Sequence, residues 1–184
     1  QFPFLKYRAL NIEQDPERQG LMPHEFDIVV AANVLHATRS IGKTLENVLK
    51  LLAPGGALVA LETVEPELWL DVTFGLLDGW WLYTEEDKLL RPSGPTMSRE
   101  NWSKVLVDKG FVEEVIIPPA TSHPSAVFVA RGPAGVQQQL QQRISSTENE
   151  CDSKLRVTVA TAASPLVASF IPDREKMRVS PTAL

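Results

Sequence analysis

The sequence predicts an α/β fold, a partial doubly wound sheet that is mostly parallel with an antiparallel edge strand. Three observations predict it. The run Asp27-Ile28-Val29-Val30-Ala31-Ala32 is uninterrupted β-branched and small apolar sequence, the pattern of a strand buried on both faces. Ile41, Leu45, Val48, Leu49 and Leu52 then fall on one helical stripe. Residues 57–61 (ALVAL) form a second buried-type strand, so strand, helix and strand succeed one another as in a right-handed βαβ crossover.

Taken in order, residues 7–11 are a short apolar-rich run that reads as a strand, followed by a polar loop over 13–20. The strand at 27–32 leads into the polar turn Asn33-Val34-Leu35-His36-Ala37-Thr38, and the helix at 41–52 is expected to stop at Pro54-Gly55-Gly56. Ser98 is placed to cap a helix that carries Trp102, Val105 and Leu106 on one face and ends at Gly110. Residues 112–117 and 126–131 read as two strands. Pro118, Pro119 and Pro124 lie between them with no helical pattern, so antiparallel pairing at a sheet edge is expected.

From Gly132 the character changes. The glutamine-rich residues 137–142 and the polar run 145–153 read as a linker over 132–153. Residues 155–160 and 166–171 are two further strand-like runs, read as a tail or the start of another domain over 154–184, with the main domain at 1–131.

Composition narrows the functional classes. With 184 residues there is material for one modest core. A net charge of -5 leaves no excess of Lys and Arg to neutralise phosphates, so an electrostatically driven nucleic-acid partner is not expected. Cys151 is the single cysteine, which rules out an internal disulfide and a Cys-based zinc site, and no metal is expected. No apolar run reaches the roughly 18 residues that span a bilayer, so no membrane association and a cytoplasmic location are expected. The chain starts at Gln1 in what reads as the approach to a strand, as a piece of something longer would.

The stretch Phe26 through Thr38 carries most of the chemistry. In doubly wound sheets ligands bind outside the carboxyl ends of the strands, which is where Asn33 and His36 stand. This stretch resembles the fourth strand and adjoining loop of class I S-adenosylmethionine-dependent methyltransferases, and its Val34-Leu35-His36-Ala37-Thr38 ending resembles the C-methyltransferase domains of polyketide synthases, especially the fungal highly reducing type. The residues Leu51-Leu52-Ala53-Pro54-Gly55-Gly56 resemble the turn before the fifth strand of that superfamily. The segments Phe74-Gly75-Leu76-Leu77-Asp78-Gly79-Trp80-Trp81 and Met97-Ser98-Arg99-Glu100-Asn101-Trp102 resemble the segments that come after that strand in the polyketide family. The resemblance covers residues 7–131 in one order and corresponds to the carboxyl-terminal half of such a domain, a Rossmann-like sheet.

The resemblance implies methyl transfer from S-adenosyl-L-methionine to the α-carbon of a β-ketoacyl thioester. The substrate would be carried by the phosphopantetheine arm of an acyl carrier protein within a multidomain synthase. His36 is the implied general base, since histidine titrates in the range a base needs near neutrality. Glu62, at the end of the neighbouring strand, is implied to orient its ring and stabilise its cation; Glu65 and Glu67 are weaker substitutes. Their plainer readings are a polar residue satisfied in a loop and a solvated strand-end carboxylate.

Asn33 and Asn11 are implied cofactor contacts, against the plain reading of Asn33 as a turn residue. Asn11 departs from the aspartate usual at its position and supplies no charge. Trp69, Phe74, Trp80, Trp81 and Tyr83 are implied to line the substrate channel, with packing against the sheet as the alternative. The glycine-rich loop and the first two strands of such a domain have no counterpart in the sequence, so the isolated chain is expected to lack catalysis and cofactor binding. Two other readings stay open: an inactive methyltransferase-like module with a structural or carrier-contacting role, and a small-molecule O- or N-methyltransferase. A glycine-rich loop upstream in the parent reading frame would favour the active domain.

Overall fold

The computed structural model describes residues 5–117, 123–134, 156–161 and 166–170. Its strands are β1 (Leu5–Ala9), β2 (Phe26–Ala32), β3 (Leu52–Thr63), β4 (Val112–Ile117), β5 (Ser125–Arg131), β6 (Val157–Thr161) and β7 (Leu166–Phe170). The helices are α1 (Ile41–Leu51), α2 (Leu68–Thr73) and α3 (Arg99–Asp108). All seven strands form one sheet in the order β1-β7-β6-β2-β3-β5-β4. β6, β2 and β3 are mutually parallel, while β5 and β7 run against their neighbours.

The expected βαβ unit is present: β2 and β3 pair in parallel from Ile28↔Ala57 to Ala32↔Leu61, joined by α1. Ser40 caps α1 by accepting from the Lys43 N–H, and Ile41, Leu45, Val48 and Leu51 on its inner stripe are buried. The end of α1 departs from expectation. The helix stops at Leu51 and β3 starts at Leu52, so Pro54, Gly55 and Gly56 lie inside the strand rather than ending the helix. They form a bulge, in which the register jumps between Phe26↔Leu52 and Ile28↔Ala57. A Cβ on Gly56 would sit 2.9 Å from the carbonyl oxygens of both Ala53 and Asp27, so only glycine fits this crossing.

On the other flank, Ser98 caps α3 by accepting from Asn101 N–H, and Trp102, Val105 and Leu106 are buried as their spacing predicts. β4 and β5 pair antiparallel, with β4 at the sheet edge. The core collects Leu45, Val48, Leu58, Trp102, Leu106 and Phe128 between the helices and the sheet. The two strand-like runs at the carboxyl end form β6 and β7, and both pair within this same sheet, β6 alongside β2 and β7 alongside β1. The linker expected at 132–153 falls, apart from residues 132–134, outside the described residues. Among the described residues, no helix is long and apolar enough to cross a membrane.

Candidate active site

The site is built from the ends of β2 and β3. The parallel register brings Ala32 beside Leu61, so the residues at the exit of each strand emerge together at one edge of the sheet. Asn33 reverses the chain in a left-handed conformation (φ 49°), with its N–H on the Leu61 carbonyl at 2.7 Å. The next residues form a tight turn: Thr38 Oγ1 donates to the Leu35 carbonyl at 2.7 Å, and Thr44 Oγ1 donates to Thr38 Oγ1 at 2.9 Å. The Leu35 side chain is buried in the core beneath it.

Glu62 is fully buried, and each of its oxygens has a donor. The Leu35 N–H donates to Oε1 at 3.0 Å, and His36 Nδ1 lies 2.5 Å from Oε2. A buried carboxylate is tolerated only with such partners. With the Glu62 carboxylate accepting, Nδ1 is the donor of this bond, and Nε2 is the ring nitrogen left for another partner. The arrangement can take up a proton at Nε2 and place the resulting cation against a carboxylate. Glu65 and Glu67 do not enter this pair: Glu65 is exposed, and Glu67 accepts from Trp69 Nε1 at 2.9 Å.

The structure brings some of the expected aromatic residues together and leaves others apart. The Trp80 ring meets the His36 ring edge to face, with centroids 5.9 Å apart. Phe74 stacks on Trp80 at 5.6 Å, and Trp69 meets Phe74 at 6.5 Å, so three rings run outward from the dyad. Trp81 is outside this row, with Nε1 donating to the Gly75 carbonyl. Tyr83 lies under the guanidinium of Arg91, 4.7 Å from its carbon to the ring centroid.

Asn33 is half-buried, and its Oδ1 accepts from Thr63 Oγ1 at 3.4 Å. Asn11 is exposed just beyond β1. Its Oδ1 accepts from Glu13 N–H in a local turn, and Gln19 ties its backbone on both sides. It borders an open cleft of about 440 Å³ shared with Glu13, Gln14, Arg39, Ser40 and Lys43. Among the described residues, no group of three or more His, Cys, Asp or Glu side chains could hold a metal ion.

Sequence reasoning misses Asp87 and Arg91, both buried beside the His36 loop. Their i,i+4 spacing is the available signal, but on a stretch so rich in charge it reads as a solvated face.

Comparison with known proteins finds similarity in sequence and in fold. The family model for a methyltransferase domain matches residues 1–58. The compactin diketide synthase mlcB of Penicillium citrinum is 47% identical over 107 residues, 58% of this chain and 4% of the synthase. The solved CurJ carbon methyltransferase is 44% identical, with a TM-score of 0.63 over 67% of this chain and 34% of that one. The trans-methyltransferase CalH, solved in complex with SAH, is 38% identical with a TM-score of 0.60 over 68% of this chain and 35% of that one. The chain thus spans about 4% of the curated synthases and about a third of the solved domains it matches.

The chain is similar over its first 58 residues to a methyltransferase domain, and in sequence and fold to solved carbon methyltransferases. More narrowly, it is similar in sequence to a segment of the Penicillium citrinum diketide synthase, and it resembles the CurJ carbon methyltransferase in both sequence and fold.

Proposed function

We propose that the chain forms the base-bearing part of a domain that methylates the α-carbon of a carrier-bound β-ketoacyl thioester during polyketide assembly. The observation that carries this reading is the buried His36–Glu62 pair, 2.5 Å apart, at the ends of two adjacent parallel strands. Carbon methylation needs an acidic C–H to be ionised, and a neutral imidazole backed by a carboxylate is suited to that task. His36 Nε2 takes the α-proton, the C–H electron pair passes into the enolate of the thioester, and Glu62 stabilises the imidazolium.

S-adenosyl-L-methionine supplies the electrophilic methyl group. The polar side chains present at the carboxyl ends of β1 and β2 suit such a cofactor: Asn33 and Asn11 offer neutral amides, Asn11 on the rim of the open cleft. CalH, similar in fold, was solved with SAH. The row Trp80, Phe74 and Trp69 offers an apolar wall that would keep water from the base and accommodate an acyl chain on its phosphopantetheine arm. An acyl carrier protein and the remaining domains of a synthase are the expected partners.

The test is hydrogen exchange at the α-carbon of a β-ketoacyl thioester without cofactor, in the parent domain and in its His36→Ala variant. Loss of exchange in the variant supports the assignment. An unchanged rate means that His36 is not the base.

A further inference from the structure

Between the aromatic row and α3 lies a buried ion pair that the proton transfer does not use. Asp87 and Arg91 are 4% and 1% exposed, and Arg91 Nη2 meets Asp87 Oδ2 at 2.6 Å. The guanidinium faces the backbone of the His36 loop. Nη1 donates to the His36 carbonyl at 2.7 Å, and Nη2 donates to the carbonyls of Thr38 at 2.9 Å and Arg39 at 3.1 Å. Asp87 Oδ2 also accepts the N–H of Ile41, the first residue of α1, at 2.8 Å. The Thr84 N–H donates to the Arg39 carbonyl at 2.9 Å.

We infer that Arg91, held by Asp87, is a positioning residue that fixes the catalytic pose of His36 by gripping the main chain of its loop. The inference rests on the reading of His36 as the base. Three carbonyls within four residues converge on one planar fork of donors, a geometry that arginine satisfies and lysine cannot. One of them belongs to His36 itself. The residue is therefore held at two points, its ring by Glu62 and its carbonyl by Arg91. Burying a guanidinium is costly, and here both of its terminal nitrogens donate to the turn that carries the imidazole. The pair also ends the segment that brings Trp80 against the ring, so wall and base share one anchor.

The test uses two readouts on the parent domain: the imidazole N–H signal of His36 in nitrogen-labelled protein, and α-proton exchange of a β-ketoacyl thioester. Arg91→Lys keeps the charge and loses the fork. It should shift or broaden the Nδ1–H signal and slow exchange by about 100-fold, the effect of displacing a reacting group by about an ångström, with KM nearly unchanged. Asp87→Asn keeps an acceptor for both donors and should move both readouts in the same direction by less. A folded Arg91→Lys variant with an unaltered signal and rate overturns the inference. If Arg91→Lys does not fold, Asp87→Asn decides by the same criteria, and if neither folds the pair is an element of the fold and the inference falls. His36→Ala separates the two readings: parent-rate exchange in that variant sinks the base assignment, while the Nδ1–H signal of Arg91→Lys still decides whether Arg91 positions the ring.

Discussion

The carboxyl ends of β2 and β3 and the segment from α2 to residue 90 both contribute to one site, yet they are built in opposite ways. At the strand ends Leu35, His36 and Glu62 are buried, and the parallel register dictates which residues meet. The segment consists of short turns whose hydrogen bonds are largely local, such as Thr73 Oγ1 to the Trp69 carbonyl and Trp81 Nε1 to the Gly75 carbonyl. It leaves Leu68, Leu76 and Leu89 at least 80% exposed. The sheet therefore fixes which polar side chains meet, and the segment supplies apolar surface. The segment meets the dyad through the Trp80 ring, and Arg91, the residue that follows it, holds the His36 carbonyl.

The largest expected effect is that of removing the base. In a parent domain with full activity, His36→Ala should lower methyl transfer by roughly 100- to 10,000-fold, the usual contribution of a positioned general base. Glu62→Gln should cost less, because an acceptor remains while the charge that stabilises the imidazolium is lost. The two losses should be non-additive in a double-variant cycle, since the carboxylate acts through the ring. Additive losses would mean that the two side chains act separately despite their 2.5 Å contact.

Effects on stability come next. Trp102 is fully buried against Phe128, with ring centroids 5.7 Å apart, so Trp102→Ala should cost about 3–5 kcal/mol in denaturant unfolding. Leu76 is 82% exposed, and Leu76→Ser should stay within about 0.5 kcal/mol. A large cost at Leu76 would show that the segment is packed in solution and that the contrast between the regions is false.

The same contrast explains what is legible in the sequence. The continuous apolar runs that form β2 and the later part of β3, and the stripe on α1, are periodic signals set by burial and can be read directly. The pairing of His36 with Glu62 is reachable through the resemblance alone, because nothing in spacing says that side chains 26 residues apart lie side by side. The bulge at Pro54-Gly55-Gly56 reads as a helix stop, since proline and glycine signal a break without saying which element is broken. The i,i+4 spacing of Asp87 and Arg91 offers a pair, but not its place beside His36, because the other partners of Arg91 are backbone carbonyls, which every residue carries. In the aromatic segment composition announces a cluster, but only the folded arrangement separates Trp80, which meets His36, from Trp81, which does not.

The smallest expected effect lies on the solvated rim and calibrates the scale from the other end. Lys50 Nζ on α1 meets Asp15 Oδ2 at 2.6 Å, tying the loop beyond Asn11 to the helix. The hydrogen bond from this ammonium, helped by the Glu17 N–H, holds the Asp15 carboxyl below its ordinary range. A depressed folded value means that the pair's contribution is complete above the unfolded carboxylate pKa and is lost as the pH falls through the folded one. Solvent screening keeps it small, and added salt should reduce it further. Lys50→Met should therefore lower the melting temperature slightly at pH 7 and not at all once the pH lies below the folded value, so that the two melting curves converge on acidification. A difference that persists at low pH would show that the lysine acts through packing of its aliphatic stem against α1 rather than through its charge.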